Sequence, residues 1–368
     1  MQIICKKSDL LNSVNIALRA VSSKTTLPIL ECIVINAQEG VIKLISNDQE
    51  LGIETIVKGT IVEAGAIAIN AKLFAEIIRK LPDNDVTFTT DEKFMTLIQC
   101  EKAKFNLMGK SHEEFPILPQ IEKTNAIRIS DYALKEIIHQ TIFSVSDNES
   151  NRIMTGELFE IKGDIFKVIS LDGHRISIRK IQLHDSYEDT RVIVPGKTLN
   201  EISKILSGEM DRIVDIYVTD KHILFSFDET TVLSRLIEGE YYKVEQMLSD
   251  NYVTKVNINN KELLSCIDRA SLMIREADKT PIVLNFTDGN LELKINSTVG
   301  SMKEEIDIKK EGKDILIGFN PKFLMDALRV IDDETVDIYL FNPKAPCFIK
   351  DKEENYIYLI LPINFNAV

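Results

Sequence analysis

The sequence predicts an α+β protein built from three tandem copies of one domain. Three observations predict it: a strand-then-helix segment occurs three times, a lysine recurs within it at a constant interval, and glycine turns recur at matching places. Lys72, Lys197 and Lys322 are each 125 residues apart. A period this long indicates duplicated domains rather than a short-repeat solenoid. The 368 residues accommodate three domains of ordinary size.

The recurring segment is an alternating apolar strand end followed by an amphipathic helix. It reads INAKLFAEIIRKL at 69–81, VPGKTLNEISKIL at 194–206 and FNPKFLMDALRVI at 319–331. Asn70 and Asn320 are suited to cap these helices, and Pro321 is suited to the first helical turn. Each segment therefore predicts a helix that begins at a strand-to-helix corner.

Further segments recur in the same order and complete each copy. The strands VDIYV at 214–218 and VDIYL at 336–340 nearly coincide, and β-type runs follow the turn residues Gly40, Gly163 and Gly289. Amphipathic helices are expected at the start of each copy, over 6–24, 130–147 and 260–275. The expected domains are residues 1–121, 127–246 and 254–368.

Composition disfavours several kinds of site. The five cysteines are isolated and form no CxxC spacing, so neither a zinc site nor a disulfide framework is expected. We expect them to be small buried residues. No signal peptide and no apolar run of membrane-helix length is visible, which predicts a cytoplasmic protein without a membrane partner. We expect no cofactor and no metal.

The string VPGKTL at 194–199 contains GKT, the end of a phosphate-binding loop motif. The complete motif needs a glycine five residues before the GK pair, and this chain has Arg191 there. A large side chain at that place would obstruct the phosphate cradle. We interpret GKT as the corner of the repeated unit, and Lys197 as a repeat position rather than a nucleotide ligand.

The three repeated helices carry charged residues at positions i, i+4 and i+7. The trios are Lys72, Glu76 and Arg79; Lys197, Glu201 and Lys204; and Lys322, Asp326 and Arg329. This spacing places each trio on one face, where it either forms intrahelical ion pairs in solvent or meets a polyanion. The six helix candidates together carry a small positive charge, whereas the whole chain carries −13. This distribution favours weak, salt-sensitive contact with nucleic acid.

Two other function classes stay open from the residues alone. An enzyme is disfavoured because the five histidines are scattered and no HExxH or Gly-x-Ser-x-Gly motif is present. Asp172 and His174 are the pair whose spacing permits acid–base chemistry. A non-catalytic repeat scaffold for protein partners, without DNA, fits the repeat as well as a DNA-binding protein does.

Five strings in order resemble the β subunit of bacterial DNA polymerase III, the sliding-clamp family, over essentially the whole chain. They are KTTLPIL at 24–30, LDGHRI at 171–176, VIVPGK at 192–197, GFNPKFLMDAL at 318–328 and LILPI at 359–363. The resemblance implies three DNA-clamp domains, with helices on one face of antiparallel sheets, that close as a six-domain ring in a homodimer around double-stranded DNA. It implies a non-catalytic processivity factor of the DNA polymerase III holoenzyme, associated with the nucleoid during replication. The implied partners are the replicative DNA polymerase, a clamp-loader ATPase and other proteins that carry a clamp-binding peptide.

The family binds partner peptides in a pocket between its second and third domains. By resemblance, the pocket includes Met154, Leu171, Gly173, His174, Arg175, Ile176, Tyr242, Met247, Leu359, Leu361, Pro362 and Ile363. Apolar walls would supply affinity and the His174–Arg175 pair would supply orientation. The first copy has SNDQELGI at 46–53 in place of SLDGHRI, so the scaffold does not require that pair. The alternative is a turn with an exposed basic pair that has no role.

The chain departs from the family pattern near this pocket. It has Tyr242 and Gln246 where the family often has a proline and an arginine, and it continues as LPINFNAV past the usual end. These departures concern the shape of the pocket and its peptide preference.

The resemblance also points to residues for DNA contact and for a dimer junction. For DNA contact they are Lys24, Lys72, Arg79, Arg152 and Lys197, and the repeat adds Lys322 and Arg329. For the junction they are Ile77, Phe105 and Leu107 of one chain, meeting Leu272 and Met273 of the other.

Overall fold

The computed structural model describes residues 1–22, 25–248, 251–275 and 280–365. Internal contacts divide the chain into two compact units. Unit 1 comprises Met1–Leu134 and Glu201–Leu236, and unit 2 comprises Lys135–Asn200 and Ile237–Val368. Each unit therefore contains one terminal copy of the repeat and part of the central copy.

The first copy supplies the elements from β1 to β9. They are β1 (Gln2–Lys6), α1 (Lys7–Ala17), β2 (Cys32–Gln38), β3 (Val41–Asn47), β4 (Leu51–Val57), β5 (Gly59–Glu63), β6 (Gly65–Asn70), α2 (Ala71–Lys80), β7 (Asp85–Thr90), β8 (Met95–Cys100) and β9 (Ala103–Met108).

The central copy supplies the elements from β10 to β15. They are β10 (Ile127–Ser130), α3 (Asp131–His139), β11 (Gly156–Leu171), β12 (Arg175–Pro195), α4 (Gly196–Ile205), β13 (Ile213–Val218), β14 (His222–Phe227) and β15 (Thr230–Arg235).

The third copy supplies the elements from β16 to β24. They are β16 (Thr254–Asn259), α5 (Asn260–Ser271), β17 (Ile282–Thr287), β18 (Asn290–Asn296), β19 (Ser301–Asp307), β20 (Lys309–Gly312), β21 (Ile315–Phe319), α6 (Pro321–Arg329), β22 (Thr335–Leu340), β23 (Cys347–Lys350) and β24 (Tyr356–Ile360).

Unit 1 contains two antiparallel sheets. The strand orders are β5-β1-β7-β8-β9 and β10-β13-β14-β15-β4-β3-β2-β6. In the larger sheet β4 pairs with β15, where Ile53 lies opposite Val232, so strands of two copies form one continuous sheet. Leu10 of α1 and Phe74 of α2 are buried among strand residues of the first copy. The apolar side of each amphipathic helix therefore faces the sheets, as its periodicity predicts.

Unit 2 repeats this arrangement. Its sheets have the orders β11-β12-β24-β23-β22-β16-β20 and β19-β18-β17-β21. Here β12 pairs with β24, with Ser177 opposite Tyr358, and again joins two copies in one sheet. Leu263 of α5 and Leu324 of α6 are buried among the strands of the third copy.

The six predicted helices are all present, and each is shorter than predicted. Asn70 Oδ1 accepts a hydrogen bond from Leu73 N at 3.1 Å, and Asn320 Oδ1 accepts one from Lys322 N at 3.0 Å, which confirms the predicted caps. The helix predicted over 130–147 ends at His139. There the Thr141 hydroxyl donates to Ile137 O at 2.7 Å, a side-chain bond that competes with the helical ladder.

The five cysteines are buried, as predicted. Burial raises the pKa of Cys5, Cys266 and Cys347 to about 12, so these thiols stay protonated. No helix in the described ranges is long and apolar enough to cross a membrane. Among the described residues, no cluster of His, Cys, Asp and Glu is placed to hold a metal ion.

Candidate partner pocket and nucleic-acid interface

The floor of the candidate pocket is built across three neighbouring strands of unit 2. Leu171 at the end of β11 lies opposite Ile176 at the start of β12, and Ile176 lies opposite Leu359 of β24. All three are buried in one hydrophobic cluster, and the partly buried Met154 packs against it. The strand register therefore brings together four residues that are separated by up to about 200 positions in the sequence.

Two exposed apolar side chains lie on the segment that follows the central copy. Tyr242 is 36% exposed, and Met247 at the end of a short 3-10 helix is 51% exposed. Asn151 Nδ2 donates a hydrogen bond to the Tyr242 hydroxyl at 2.7 Å. This hydrogen bond holds the Tyr242 side chain in place.

The C-terminal segment is tied to the protein on both sides of Pro362. Leu361 N donates to His174 O at 2.9 Å, and Ile363 N donates to Gly318 O at 2.8 Å. A Cβ added at Gly318 would lie only 2.6 Å from Phe365 Cδ1, so glycine is needed for the tail to pack there. Leu361 remains exposed while Pro362 and Ile363 are partly buried.

The turn 172–175 is organised by one aspartate. Asp172 Oδ1 accepts hydrogen bonds from His174 N at 2.9 Å and from Arg175 N at 3.1 Å. Gly173 has a φ of +88°, a conformation that favours glycine. The Asp172 carboxylate therefore holds backbone amides. Its hydrogen bonds do not support the acid–base pair with His174 that the spacing permitted.

Arg175 is buried, and its guanidinium donates hydrogen bonds to three acceptors within the protein. Its Nε donates to Asp172 Oδ2 at 2.9 Å, its Nη1 donates to Asp326 Oδ2 at 2.6 Å, and its Nη2 donates to Phe143 O. The guanidinium carbon lies 4.4 Å from the ring centroid of Phe323, a cation–π distance. The alternative of an exposed, unemployed basic pair is therefore wrong for Arg175, because its charge is paired inside the fold.

His174 differs from its neighbour because its side chain is exposed. Its ring stacks on Phe323 of α6, with centroids 6.1 Å apart and an interplanar angle of 22°. Of the two basic residues, the structure leaves His174 available to a partner.

Helices α2, α4 and α6 expose the lysines of the repeated trios. Lys72, Lys197 and Lys322 are exposed, as are Arg79 and Arg329. Arg152 is also exposed, in the 3-10 helix Arg152–Thr155. Lys24 lies outside the described residues.

Intrahelical ion pairs form within the trios of α4 and α6. Lys322 Nζ lies 3.0 Å from Asp326 Oδ2, the i,i+4 pair. In α4, Glu201 pairs with Lys204 at 2.7 Å, an i,i+3 pair, and with Arg19 at 3.3 Å. Such exposed pairs contribute little to stability, so these cations remain exchangeable for phosphate.

The corner VPGKTL is a strand-to-helix corner, as predicted. Strand β12 ends at Pro195 and α4 begins at Gly196. A Cβ at Gly196 would lie 2.9 Å from Val145 Cγ1 and 3.0 Å from the Thr155 carbonyl oxygen. The glycine is therefore required by close packing against these residues, which explains it without a nucleotide.

Family models match the chain in three successive segments. The N-terminal domain of the DNA polymerase III beta subunit matches residues 1–119, its central domain matches 128–243, and its C-terminal domain matches 245–364. The chain belongs to the DNA polymerase III beta subunit family. It accordingly consists of three tandem clamp domains.

Known members of this family are similar over their whole length. A beta sliding clamp of Staphylococcus epidermidis is 37% identical over 99% of both chains. A crystal structure described as a DNA polymerase III beta subunit of Eubacterium rectale is 61% identical, with a TM-score of 0.97 over 99% of this chain and 100% of that one. The DNA polymerase sliding clamp of Bacillus subtilis is 34% identical, with a TM-score of 0.96 over 100% of both. The protein therefore functions in DNA replication as a sliding clamp, a processivity factor of DNA polymerase. The family is one of non-catalytic accessory subunits.

The residues that the clamp family suggests for a dimer junction differ in exposure. Phe105 on β9 is 39% exposed and Leu272 just after α5 is 73% exposed, whereas Leu107 and Met273 are partly buried. Ile77 is only 7% exposed because it lies within the core of its own unit. It therefore has little surface to offer a partner chain.

Sequence reasoning missed the contribution of α6 to the candidate pocket. Phe323 and Asp326 hold Arg175 and His174, yet on the sequence they read as ordinary positions of an amphipathic helix. The available signal was Asp326, whose place in the repeated trio was assigned only to an intrahelical pair. Contact between positions this far apart cannot be inferred from local spacing.

Proposed function

We propose that two copies of this sliding clamp join head to tail into a ring of six clamp domains that encircles double-stranded DNA. The observation that carries the proposal is the way neighbouring copies pair in each sheet. In unit 1, strand β4 of the first copy pairs with β15, the last strand of the central copy. In unit 2, strand β12 of the central copy pairs with β24, the last strand of the third copy.

This pattern leaves two strands without their counterpart among the described strands. The third-copy counterpart of β4 is β19, which is at the edge of the four-stranded sheet. The last strand of the first copy is β9, which is at the edge of the five-stranded sheet. An edge strand offers unpaired backbone groups to another chain. Pairing of β9 with β19 of a second molecule would repeat the same junction, and a two-fold axis would close the ring.

The apolar side chains near these two edges support the junction. Phe105 and Leu107 belong to β9, and the exposed Leu272 follows α5. Met273 O accepts a hydrogen bond from Ser297 Oγ, which ties this end of α5 to the turn before β19. These residues are the proposed contacts, with Ile77 supporting them from within the core.

The helices α2, α4 and α6 are the proposed surface for DNA. They would present Lys72, Arg79, Lys197, Lys322 and Arg329 to phosphates, and the family resemblance adds Lys24 and Arg152. Because these helices present few cations and the net charge is −13, contact through charge would be weak and salt-sensitive, and encirclement would retain the protein while it slides. Its place of action would be the nucleoid, in the cytoplasm.

The pocket of unit 2 is the proposed docking site for the replicative DNA polymerase and for other proteins with a clamp-binding peptide. Its buried apolar floor and its exposed Tyr242, Met247 and Leu361 suit apolar peptide anchors. We propose that the protein itself has no catalytic activity. A clamp-loader ATPase would open and close the ring. The proposed domain boundaries remain 1–121, 127–246 and 254–368.

Retention on circular DNA tests the ring. The protein is loaded onto a nicked circular duplex by the clamp loader, and the circle is then cut with a restriction enzyme. Encirclement predicts retention on the circle and release after cutting, because the linear duplex has ends. Equal retention on both forms would contradict encirclement and favour the alternative, a repeat scaffold that binds proteins without encircling DNA.

The variant Leu272→Asp provides a matched control for this experiment. Leu272 is 73% exposed, so the change should not disturb the fold of the single chain. It would place a charge in the junction, which is costly when buried and unpaired. Native mass measurement should show a dimer for the wild type and a monomer for the variant, and the variant should not remain on circles. If the Leu272→Asp variant is still a dimer, the junction does not include Leu272.

A further inference from the structure

One carboxylate in unit 2 is shared by helix α6 and the turn 172–175. Asp326 lies one helical turn after Lys322. Its Oδ2 accepts a hydrogen bond from Lys322 Nζ at 3.0 Å and another from Arg175 Nη1 at 2.6 Å. Arg175 is 151 residues away in the sequence. The same oxygen therefore joins a cation on the proposed DNA surface to a cation beneath the proposed partner pocket.

The two cations differ in how firmly they are held. The Lys322 side chain is 67% exposed, whereas that of Arg175 is 5% exposed. An exposed pair contributes little and is easily exchanged for another anion. Arg175 cannot leave in this way, because Asp172 and the Phe143 carbonyl also hold it. A phosphate that approached α6 would therefore draw Lys322 away from Asp326 and leave Arg175 in place.

A second contact makes the turn depend on α6. Phe323, the residue after Lys322, lies against both basic residues of the turn. The Arg175 guanidinium carbon is 4.4 Å from its ring centroid, and the His174 ring stacks on it at 6.1 Å. Within the same turn, His174 O accepts a hydrogen bond from Leu361 N. A shift of α6 would therefore also move two exposed residues of the pocket, His174 and Leu361.

We propose that Asp326 is a positioning residue that couples DNA contact to partner binding, an inference that rests on the proposed roles of α6 and the pocket. When a duplex phosphate takes Lys322, Asp326 Oδ2 is left to Arg175 alone. The remaining charge-assisted hydrogen bond becomes stronger because the carboxylate is no longer divided between two cations. The turn 172–175 is then held more firmly, and a partner binds it at a lower ordering cost. By reciprocity, a partner on the pocket favours the release of Lys322 to DNA.

The equivalent residue of α4 has other partners. Glu201 of α4 pairs with Lys204 and with Arg19, both within unit 1. Glu76 of α2 is exposed. Glu76→Gln is therefore a matched control for Asp326→Asn: it removes the same charge at the same place in the repeat, but in unit 1, whereas the pocket residues belong to unit 2.

The first arm of the test measures the affinity of the purified replicative polymerase for the DNA-free protein. Asp326→Asn should weaken binding about ten-fold, because it removes one charge-assisted hydrogen bond from Arg175. Lys322→Met, which mimics the withdrawal of Lys322, should strengthen binding about three-fold. In the Asp326→Asn background, Lys322→Met should have no effect, and Glu76→Gln should bind as the wild type does.

The second arm measures exchange of the His174 and Arg175 amide hydrogens with and without a short duplex DNA at low salt. DNA should slow exchange in the wild type, and it should have no effect in Lys322→Met or Asp326→Asn. Equal affinity of wild type and Lys322→Met, or a DNA effect that persists in Lys322→Met, would overturn the coupling. These outcomes do not depend on whether Asp326→Asn folds.

A further variant separates failure of the coupling from failure of the proposed pocket. Leu361→Glu places a charge on an exposed apolar residue of the pocket. If it leaves the polymerase affinity unchanged, the pocket assignment is wrong and the coupling fails with it. If it abolishes binding while a folded Asp326→Asn binds like the wild type, the pocket stands and only the coupling is overturned.

Discussion

The turns 48–51 in unit 1 and 172–175 in unit 2 occupy the same place in successive copies. Both begin with an aspartate, and the three residues that follow differ. In the first, Asp48 Oδ1 accepts hydrogen bonds from Glu50 N at 3.1 Å and Leu51 N at 2.8 Å. In the second, Asp172 Oδ1 accepts bonds from the amides two and three residues later, at 2.9 and 3.1 Å. The residue after the aspartate has a positive φ in both, +77° and +88°. The repeat therefore preserves the turn itself.

Both turns also bond to the neighbouring copy in the same way. Arg235 N donates to Glu50 O at 2.9 Å in unit 1, and Leu361 N donates to His174 O at 2.9 Å in unit 2. The last residue of each turn differs most in its contacts. Leu51 is simply buried, whereas Arg175 reaches Asp326. An arginine in place of leucine at the end of a similar turn thus connects the second turn to helix α6.

Arg175→Leu tests that difference most directly, since it gives the second turn the residue of the first. We expect the free energy of unfolding to fall by about 3 kcal/mol, because Asp326 loses its buried partner. Denaturant unfolding followed by circular dichroism measures this. The Asp172 backbone bonds should persist, so the native circular dichroism spectrum should not change. A variant as stable as the wild type would show that leucine serves equally well in both turns and that the network contributes nothing.

A buried carboxyl distinguishes the two copies in a second place. Glu157 lies opposite Val194, and Ile33 holds the matching position opposite Ile69 in the first copy. Both are fully buried, and burial raises the pKa of Glu157 well above its ordinary value of 4.5. Because the folded pKa is raised, the stability of wild type is fully present below about pH 4.5 and falls as pH rises toward the folded pKa.

Glu157→Gln should remove this dependence, since its amide does not titrate. The unfolding free energy of the wild type should fall relative to the variant by at most about 1.4 kcal/mol per pH unit above that point. Guanidinium titrations between acidic and mildly alkaline pH measure the difference. Parallel curves for the two proteins at all pH values would mean that Glu157 is ionised in the fold.

The smallest expected effect concerns the positive-φ residue of each turn. A Cβ at Gly173 meets nothing within 4 Å. Gly173→Ala should therefore lower the free energy of unfolding only through backbone strain, by about 1 kcal/mol. Gln49→Gly should raise the free energy of unfolding or leave it unchanged, because glycine relieves strain at φ +77°. Thermal unfolding should show the melting temperature of Gly173→Ala lowered by a few degrees. Equal shifts in the same direction would show that the two backbones are not equivalent.

The parts of the protein that were predictable from sequence are those set by neighbouring residues. The Asn70 and Asn320 caps and the corner at Gly196 follow from residue types within one helical turn, and the structure has them as predicted. Ile77 shows the limit of this reasoning. Its place on the apolar stripe of α2 was compatible with a junction, but its burial depends on the strands packed against it.

The charged trios show the same limit more clearly. The spacing of Lys197, Glu201 and Lys204 placed them on one face but left open which pair forms. The structure pairs Glu201 with Lys204 and with Arg19 of another helix. Ion pairs of similar energy are selected by side-chain rotamers and by neighbouring elements. A local sequence pattern contains neither of these.

By itself the sequence determined three tandem α+β copies, the starts of their second helices, the buried cysteines and membership of the sliding-clamp family. The copies, the helix starts and the buried cysteines follow from periodicity and from residues close together in the chain, whereas the family was indicated by the resemblance of five strings to known members. Only the tertiary structure decided that Arg175 is buried on Asp326, that α6 supports the pocket turn, and that β9 and β19 end their sheets. Each of these is a pairing of strands or charges far apart in sequence, and its energy exists only once folding has brought the partners together.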